Sequence, residues 1–210
     1  MKTKIFSLLL LLCNFCFAQT SEKPNQLSLG SGRQSYNGDL GNSWFKPKEE
    51  YYGFGILSYS RYLNRSFDAM LTITHGDFGH CREEDESQFR PDGTEVLNML
   101  SRLTVVNLTA KYKFANGYFL KETSKISPYV FAGAGFNNLT DFWWKNKTRV
   151  NQGNYSSVNG GLGIQYQFNK KLSLTYTLAT GYFLSDAIDF RMEGNNDKYL
   201  QHALLVGFNF

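Results

Sequence analysis

Few side chains of this 210-residue chain have the types and spacing that chemistry needs. His75, Asp77, His80 and Cys81 fall close together, and all four are zinc-ligand types. Their spacing matches no strong zinc motif. Four ligands from one strand end would demand a sharp fold-back, so solvated side chains at the start of a loop are expected instead. The acidic run Glu83-Glu-Asp-Glu86 that follows could hold calcium, or repel phosphates of lipopolysaccharide unless cations bridge them; a solvated tip is the simpler expectation. Acyl transfer would need a His within hydrogen-bond reach of a nucleophilic Ser. His202 has no Ser two positions on, and His75 shares a face with Asp77 but has no Ser close in sequence. The glycines at 133–135 and in Gly160-Gly-Leu-Gly163 lie inside strand patterns and open no helix, so they are not phosphate loops. No catalytic centre, metal or cofactor is expected.

Two other groups of residues stand out. Arg61, Asp68, Lys111 and Lys113 each oppose the apolar register of their own segment, and are expected to point inward. Charges in a narrow interior are tolerable only when paired and hydrogen-bonded, which predicts a polar plug, with a gate in a narrow conduit as the functional variant. Trp44-Phe45 and Phe142-Trp-Trp144 sit in connecting segments, the second followed by Lys145, Lys147 and Arg149. At a membrane rim such rings form an aromatic girdle. Further out, they form a sticky patch for a glycan, a protein or another cell.

The elements that would position these residues are strands. Aromatic residues make up 16 % of the chain and there are only 4 prolines, a profile that favours an all-β fold. At the start, Met1 to Lys4 is a positive region, Ile5 to Phe17 an apolar run, and Cys16-Phe-Ala18 a small-x-small cleavage site. Residues 1–18 are therefore expected to be a cleaved signal peptide and 19–210 a single domain. The net charge of +4 falls to about +2 once Lys2 and Lys4 leave, which argues against a nucleic-acid partner. Cys13 and Cys16 leave too, so Cys81 has no partner for a disulfide within the mature monomer. No later apolar run is long enough for a membrane helix, so a membrane-spanning form must be a closed barrel.

Eight strand-like segments are expected, at 26–36, 51–63, 66–77, 102–114, 127–138, 155–168, 171–184 and 199–210. Each has the length of a tilted strand that crosses a bilayer. Short connections (Leu63 to Ser66, Asn169 to Lys171) and a longer turn (Ala115 to Ile126) alternate with long polar ones at 37–50, 78–101, 139–154 and 185–198. Short ends in the periplasm and long ends outside are the outer-membrane pattern. The alternation is clearest in the last three segments: Val158, Leu162, Ile164 and Tyr166 share one face, and Leu172, Leu174, Tyr176 and Leu178 another. In the closing segment Leu204, Val206, Phe208 and Phe210 form the apolar row. The segment from Tyr129 to Phe136 is apolar on both faces, and its orientation stays open.

Leu27-Ser-Leu-Gly30, Ser35-Tyr-Asn-Gly-Asp-Leu40, Tyr59-Ser-Arg-Tyr-Leu-Asn64, Ala110-Lys-Tyr-Lys-Phe114, Ser127 to Gly135 and Leu200-Gln-His202 occur in this order along the chain. Together they resemble the N-terminal eight-stranded β-barrel of OmpA-type outer-membrane proteins of the Bacteroidota. The resemblance implies an all-β, eight-stranded, antiparallel, up-and-down transmembrane β-barrel in the bacterial outer membrane. The Asp-rich linker and peptidoglycan-binding domain that often follow such barrels are not seen before Phe210, so a wall-anchoring role is not expected to carry over. The expected role is structural or interactive, with four extracellular loops presented from a plugged monomeric barrel. Expected partners are outer-membrane lipid and lipopolysaccharide, the barrel-assembly machinery during insertion, and an extracellular ligand through the loops. A narrow pore for small solutes is the main alternative. A lipid-A-modifying enzyme or a soluble lipocalin-like barrel would demand a His-Ser contact or inward apolar faces, respectively.

Overall fold

The computed structural model describes residues 24–37, 52–80, 99–144, 148–150, 153–185 and 197–210. Its elements are β1 (Asn25–Asn37), β2 (Tyr52–Tyr62), β3 (Phe67–His80), β4 (Met99–Lys113), β5 (Ile126–Trp144), β6 (Thr148–Val150), β7 (Gly153–Gln167), β8 (Leu172–Phe183) and β9 (Lys198–Asn209). Each long strand pairs antiparallel with its sequence neighbour, and β9 pairs back onto β1 from Gln26↔Asn209 to Asn37↔Lys198. This ladder closes eight strands into an up-and-down barrel, with the three-residue β6 added beside the end of β5. Closure leaves no unpaired sheet edge around the wall, which is the condition for a β-structure to cross lipid.

All eight expected strands are present. Three of them run further than their sequence pattern indicates. β3 continues to His80, β4 begins at Met99, and β5 continues to Trp144. Residues expected in open loops there are paired: Phe78↔Ser101, Leu100↔Trp143 and Trp144↔Thr148. Pairing supplies the backbone partners that water would otherwise provide, and carries part of the ladder beyond the expected strand ends.

The short connections share one end of the barrel with Asn25 and Phe210, where the closing ladder starts. In the β2–β3 turn, Asn64 Oδ1 accepts from the amides of Ser66 and Phe67 at 2.9 and 2.8 Å. In the β7–β8 turn, Asn169 Oδ1 accepts from Lys171 and Leu172 at 2.8 and 2.9 Å. The same Asx device thus makes both turns, because an asparagine side chain can mimic a backbone carbonyl. Asn25 and Phe210 exchange amide–carbonyl bonds of 3.1 and 2.9 Å at the same end. The segments 38–51, 81–98 and 186–196, which connect strands at the opposite end, lie outside the described residues.

Strand alternation separates two faces. Outward rows carry large apolar side chains left bare, such as Leu29 (67 % exposed) and Leu108 (65 %). A continuous belt of this kind suits hydrocarbon and not water. The orientation of β5 is also settled: Val130, Ala132, Ala134 and Phe136 lie on the outward rows, while Tyr129 and Phe131 turn inward. β2 is inverted relative to expectation. Phe54 and Ile56 are buried inside, and the outward row is Gly53, Gly55, Leu57, Tyr59 and Arg61.

Inward rings lie over glycines of neighbouring strands. A Cβ added at Gly32 would meet the Phe54 ring, at Gly161 Phe131, at Gly163 Tyr129, and at Gly181 Tyr199. Missing side chains on one strand make room for a flat ring from the next, so a narrow barrel can hold several aromatic residues.

Candidate functional site

The lumen has three layers, set by which strand positions fall at each height. At the short-turn end, Asp68 opens β3 while Lys111 and Lys113 end β4, so cross-strand pairing brings them together. Lys113 Nζ donates to Asp68 Oδ1 at 2.5 Å, and Lys111 Nζ stands 3.8 Å from Asp68 Oδ2. Lys111 also donates to Gln165 Oε1 at 3.1 Å. Each ammonium lies over a ring, with 4.4 Å from Lys111 to the Tyr129 centroid and 4.4 Å from Lys113 to that of Tyr62. The side chains of Asp68, Lys111 and Lys113 are 11, 6 and 16 % exposed. Charges this far from solvent are held by one another, by an amide and by ring faces. They floor a mouth of about 560 Å³ that opens to the short-turn end past Arg65, Glu122 and Gln167.

Above the charges, a cavity of about 50 Å³ lies among Ser58, Thr72, Thr109, Thr175 and Thr177. Phe54, Ile56, Phe131 and Leu205 share its lining with these hydroxyls, so the space is small and partly apolar. An amide chain crosses the lumen next to it. Tyr199 Oη donates to Asn159 Oδ1 at 2.6 Å, and Asn159 Nδ2 donates to Asn107 Oδ1 at 2.8 Å. Asn137 Nδ2 donates to Ser157 Oγ at 2.9 Å. Gln201 Nε2 donates to Gln34 Oε1 at 2.8 Å, and Gln34 Nε2 to the Asp77 carbonyl at 2.7 Å. Such ties between strands far apart in sequence fix the interior in one arrangement.

The third layer is largely aromatic. Tyr36, Phe78, Leu103, Val105, Leu139, Phe183 and Tyr199 form one buried cluster drawn from β1, β3, β4, β5, β8 and β9, and Tyr155 of β7 packs on it. Phe78 meets Tyr36 edge-on at 5.5 Å, and Phe183 meets Tyr199 at 5.4 Å. The Tyr36 hydroxyl donates to the Asp197 carboxylate. The upper interior is therefore filled mainly by rings and aliphatic side chains, with Asp197, Gln34 and Asn137 buried beside them, whereas the sequence suggested small polar residues throughout. No sequence expectation covered the ring layer. Its members stand in the same register as the inward Ser, Thr and Gly residues, which is the signal that could have revealed it.

Of the four expected lumen charges, the structure unites Asp68, Lys111 and Lys113. Arg61 is a correction. It stands on the outward row of β2, paired in register with Asn25 and Ala69, because the apolar Phe54 and Ile56 that suggested the opposite phase fill the lumen. Near a barrel end, a long arginine can reach from the wall to headgroups.

His75 and Asp77 lie on the outward face of β3. His75 Nδ1 and Thr104 Oγ1 are 2.8 Å apart, and Arg102 Nε stands 3.5 Å from Asp77 Oδ1. His80 ends β3, and Cys81 lies outside the described residues, as do Glu83-Glu-Asp-Glu86. Among the described residues, no group of three or more His, Cys, Asp and Glu could hold a metal ion. His202, on the outward face of β9, stands 2.9 Å from the Tyr176 hydroxyl through Nδ1.

Trp44 and Phe45 lie outside the described residues. The backbones of Trp143 and Trp144 belong to β5, between β4 and β6, and not to the open loop expected there. A girdle is instead visible at the short-turn end. Phe67 and Tyr112 meet at 5.2 Å, Tyr112 and Phe114 at 5.4 Å, and Tyr166 and Phe168 at 5.1 Å, with Phe208 and Phe210 completing the outward rows. An aromatic residue at the last outward positions of successive strands is the sequence signal for it.

Comparison with solved structures agrees on the fold. Neisserial surface protein A is similar with a TM-score of 0.59 at 11 % identity, over 89 % of this chain and 97 % of that one. Ail, the attachment invasion locus protein of Yersinia pestis, solved in complex with the heparin analogue sucrose octasulfate, gives 0.52 at 16 % identity, over 90 % and 100 %. The N-terminal β-barrel domain of Pseudomonas aeruginosa OprF gives 0.50 at 18 % identity, over 90 % and 100 %. The architecture is that of small bacterial outer-membrane barrels. No curated protein matches the chain. One family matches nearly all of it, over residues 3–206, and the chain accordingly belongs to the family described as a domain of unknown function, DUF6089.

Proposed function

We propose that this protein is a closed outer-membrane scaffold with a structural or surface-interaction role, which displays its four long connections from a barrel that does not conduct. The observation that carries this reading is the ring layer. Tyr36, Phe78, Phe183 and Tyr199 fill the lumen at the long-connection end, so the mouth at the other end leads into a cup and not a conduit. Asp68, Lys111 and Lys113 then act as a polar plug that secures the wall from within. With the lumen filled, recognition falls to the outside: lipid and lipopolysaccharide along the wall, and an extracellular ligand at Trp44, Phe45, Trp143 and Trp144. Ail, of similar fold, is named for attachment and was solved with a heparin analogue, which is the kind of role this reading assigns. No catalytic step belongs to it, and the barrel acts as a monomer inserted by the assembly machinery.

Conductance in a planar bilayer tests the reading, with folding verified by gel mobility with and without boiling. The parent protein should be silent, and a Phe183→Ala/Tyr199→Ala variant that removes two plug rings should show discrete openings. Discrete openings in the parent protein would overturn the closed scaffold and establish the narrow pore in its place.

A further inference from the structure

The longest described turn at the short-turn end joins β4 to β5 and carries Tyr118, Phe119 and Leu120 at 81, 67 and 40 % exposure. Three apolar residues at a turn tip are unfavourable in water, and this turn does not leave them loose. Asn116, itself buried, accepts from the amides of Tyr118 and Phe119 at 3.0 and 3.4 Å. Its Nδ2 donates to Ser66 Oγ at 3.2 Å and to Tyr112 Oη at 3.1 Å, tying the turn to the β2–β3 turn and to the wall. Gly117 takes φ +86°, which an L side chain rarely adopts, and its amide donates to the Leu120 carbonyl at 2.9 Å. The Leu120 amide closes onto Phe114 at 3.1 Å. The backbone amides from Gly117 to Leu120 are thus all bonded within the turn.

What faces them follows from continuity. Phe119 meets Phe114 edge-on at 5.6 Å, Phe114 meets Tyr112 at 5.4 Å, and Tyr112 meets Phe67 at 5.2 Å. The turn therefore extends the outward aromatic girdle past the end of the strands. Lys121 and Lys125 stand exposed on the same turn, where ammonium groups would meet lipid phosphates. Rings beside basic side chains are the composition of a membrane–water interface.

We infer that the β4–β5 turn is an interfacial anchor, whose Tyr118 and Phe119 insert among the phospholipid headgroups of the leaflet at the short-turn end. This rests on the barrel spanning a membrane. By adding a fixed lateral foot to a cylinder, the turn sets the depth of the barrel.

Spin labels distinguish the two ideas. Cysteine is introduced at Tyr118 (Tyr118→Cys), at Leu162 in the middle of the outward belt (Leu162→Cys), and at Lys170 on the β7–β8 turn (Lys170→Cys). The background has serine at every native cysteine, and folding is checked by gel mobility. In phosphatidylcholine–phosphatidylglycerol vesicles, collision with oxygen is compared with collision with a water-soluble nickel chelate. The oxygen-to-nickel ratio at position 118 should lie severalfold above that at 170 and below that at 162. A ratio at 118 equal to that at 170, with 162 still in lipid, overturns the anchor alone. Low collision with both reagents at 118 would mark a protein contact and also overturns it. A water-like ratio at 162 would instead overturn the membrane-spanning reading beneath it. Trimming the turn to Tyr118→Ser/Phe119→Ser should make the label at 162 report a changed depth, and an unchanged depth there would count against a positioning role.

Discussion

Replacing Asp68 by Asn keeps the size of the side chain and removes the carboxylate that faces both Lys111 and Lys113. The separations are 2.5 Å to Lys113 and 3.8 Å to Lys111. With an effective dielectric constant of about 20, these attractions amount to about 7 and about 4 kcal/mol. Most of that gain offsets the cost of withdrawing three charges from water, so the net effect is far smaller. What the variant leaves behind is two ammonium groups near each other with no carboxylate between them. Breaking a buried pair in this way costs about 3–5 kcal/mol, and the open mouth below admits water, which places the expected loss at about 3 kcal/mol. A second change, Lys113→Gln, removes one of the stranded charges, and the double variant should recover at least about 1 kcal/mol through coupling. Equilibrium unfolding in urea, with the barrel in phospholipid vesicles, measures both by tryptophan fluorescence and by the gel mobility of unboiled protein. If Asp68→Asn unfolds within about 0.5 kcal/mol of the parent, the three groups are solvated singly and the plug argument is wrong.

Three further changes probe the wall and its closure. Gly181→Ala drives a Cβ into the Tyr199 ring and should destabilise the barrel by about 1–3 kcal/mol in the same urea assay, while Gly53→Ala, where a Cβ meets nothing, should be near neutral. Leu108→Arg, on the outward belt, should cost about 2–4 kcal/mol in a bilayer near its midplane; a neutral result would mean that this row does not face hydrocarbon. Deleting residues 208–210 removes the register pairs Leu27↔Phe208 and Leu172↔Phe208 and both bonds between Asn25 and Phe210, so the folded gel band should vanish from outer-membrane fractions. A normal folded band after the deletion would show that the ladder closes without those residues.

The sequence made the strand set legible because a period of two with strong contrast marks β7, β8 and β9. There the inward residues are mostly Ser, Thr, Gly, Asn and Gln, apart from Phe183, Tyr199 and Leu205, and the outward ones mostly Leu, Ile, Val and Tyr. Contrast fails where rings fill the lumen. In β5, Tyr129 and Phe131 are inward and Val130 and Phe136 outward, so both rows read as apolar and only the glycines opposite the rings distinguish them. In β2 the same effect reverses the reading. Phe54 and Ile56 look like lipid-facing residues, but Ser58 and Ser60 continue their row, and that small polar continuation marks the inner face that Arg61 does not share. Asp68, Lys111 and Lys113 were legible because each opposes the apolar row of its own strand. The strand extensions to His80 and Trp144 were not, since Phe78-Gly-His80 and Leu139-Thr-Asp-Phe-Trp-Trp144 show no apolar–polar alternation.

The grading of the lumen, charged at the short-turn end and aromatic at the other, has a kinetic consequence. The Asn25–Phe210 end of the closing ladder and the three described turns share the charged end, which in the proposed orientation stays on the side from which a barrel inserts. The leading half would cross the hydrocarbon carrying the rings and one buried carboxylate, Asp197, that accepts from Tyr36, while Asp68, Lys111 and Lys113 need never pass the midplane. A basic side chain facing lipid at the midplane costs about 2–4 kcal/mol, so holding these charges at the trailing end would lower the barrier to insertion.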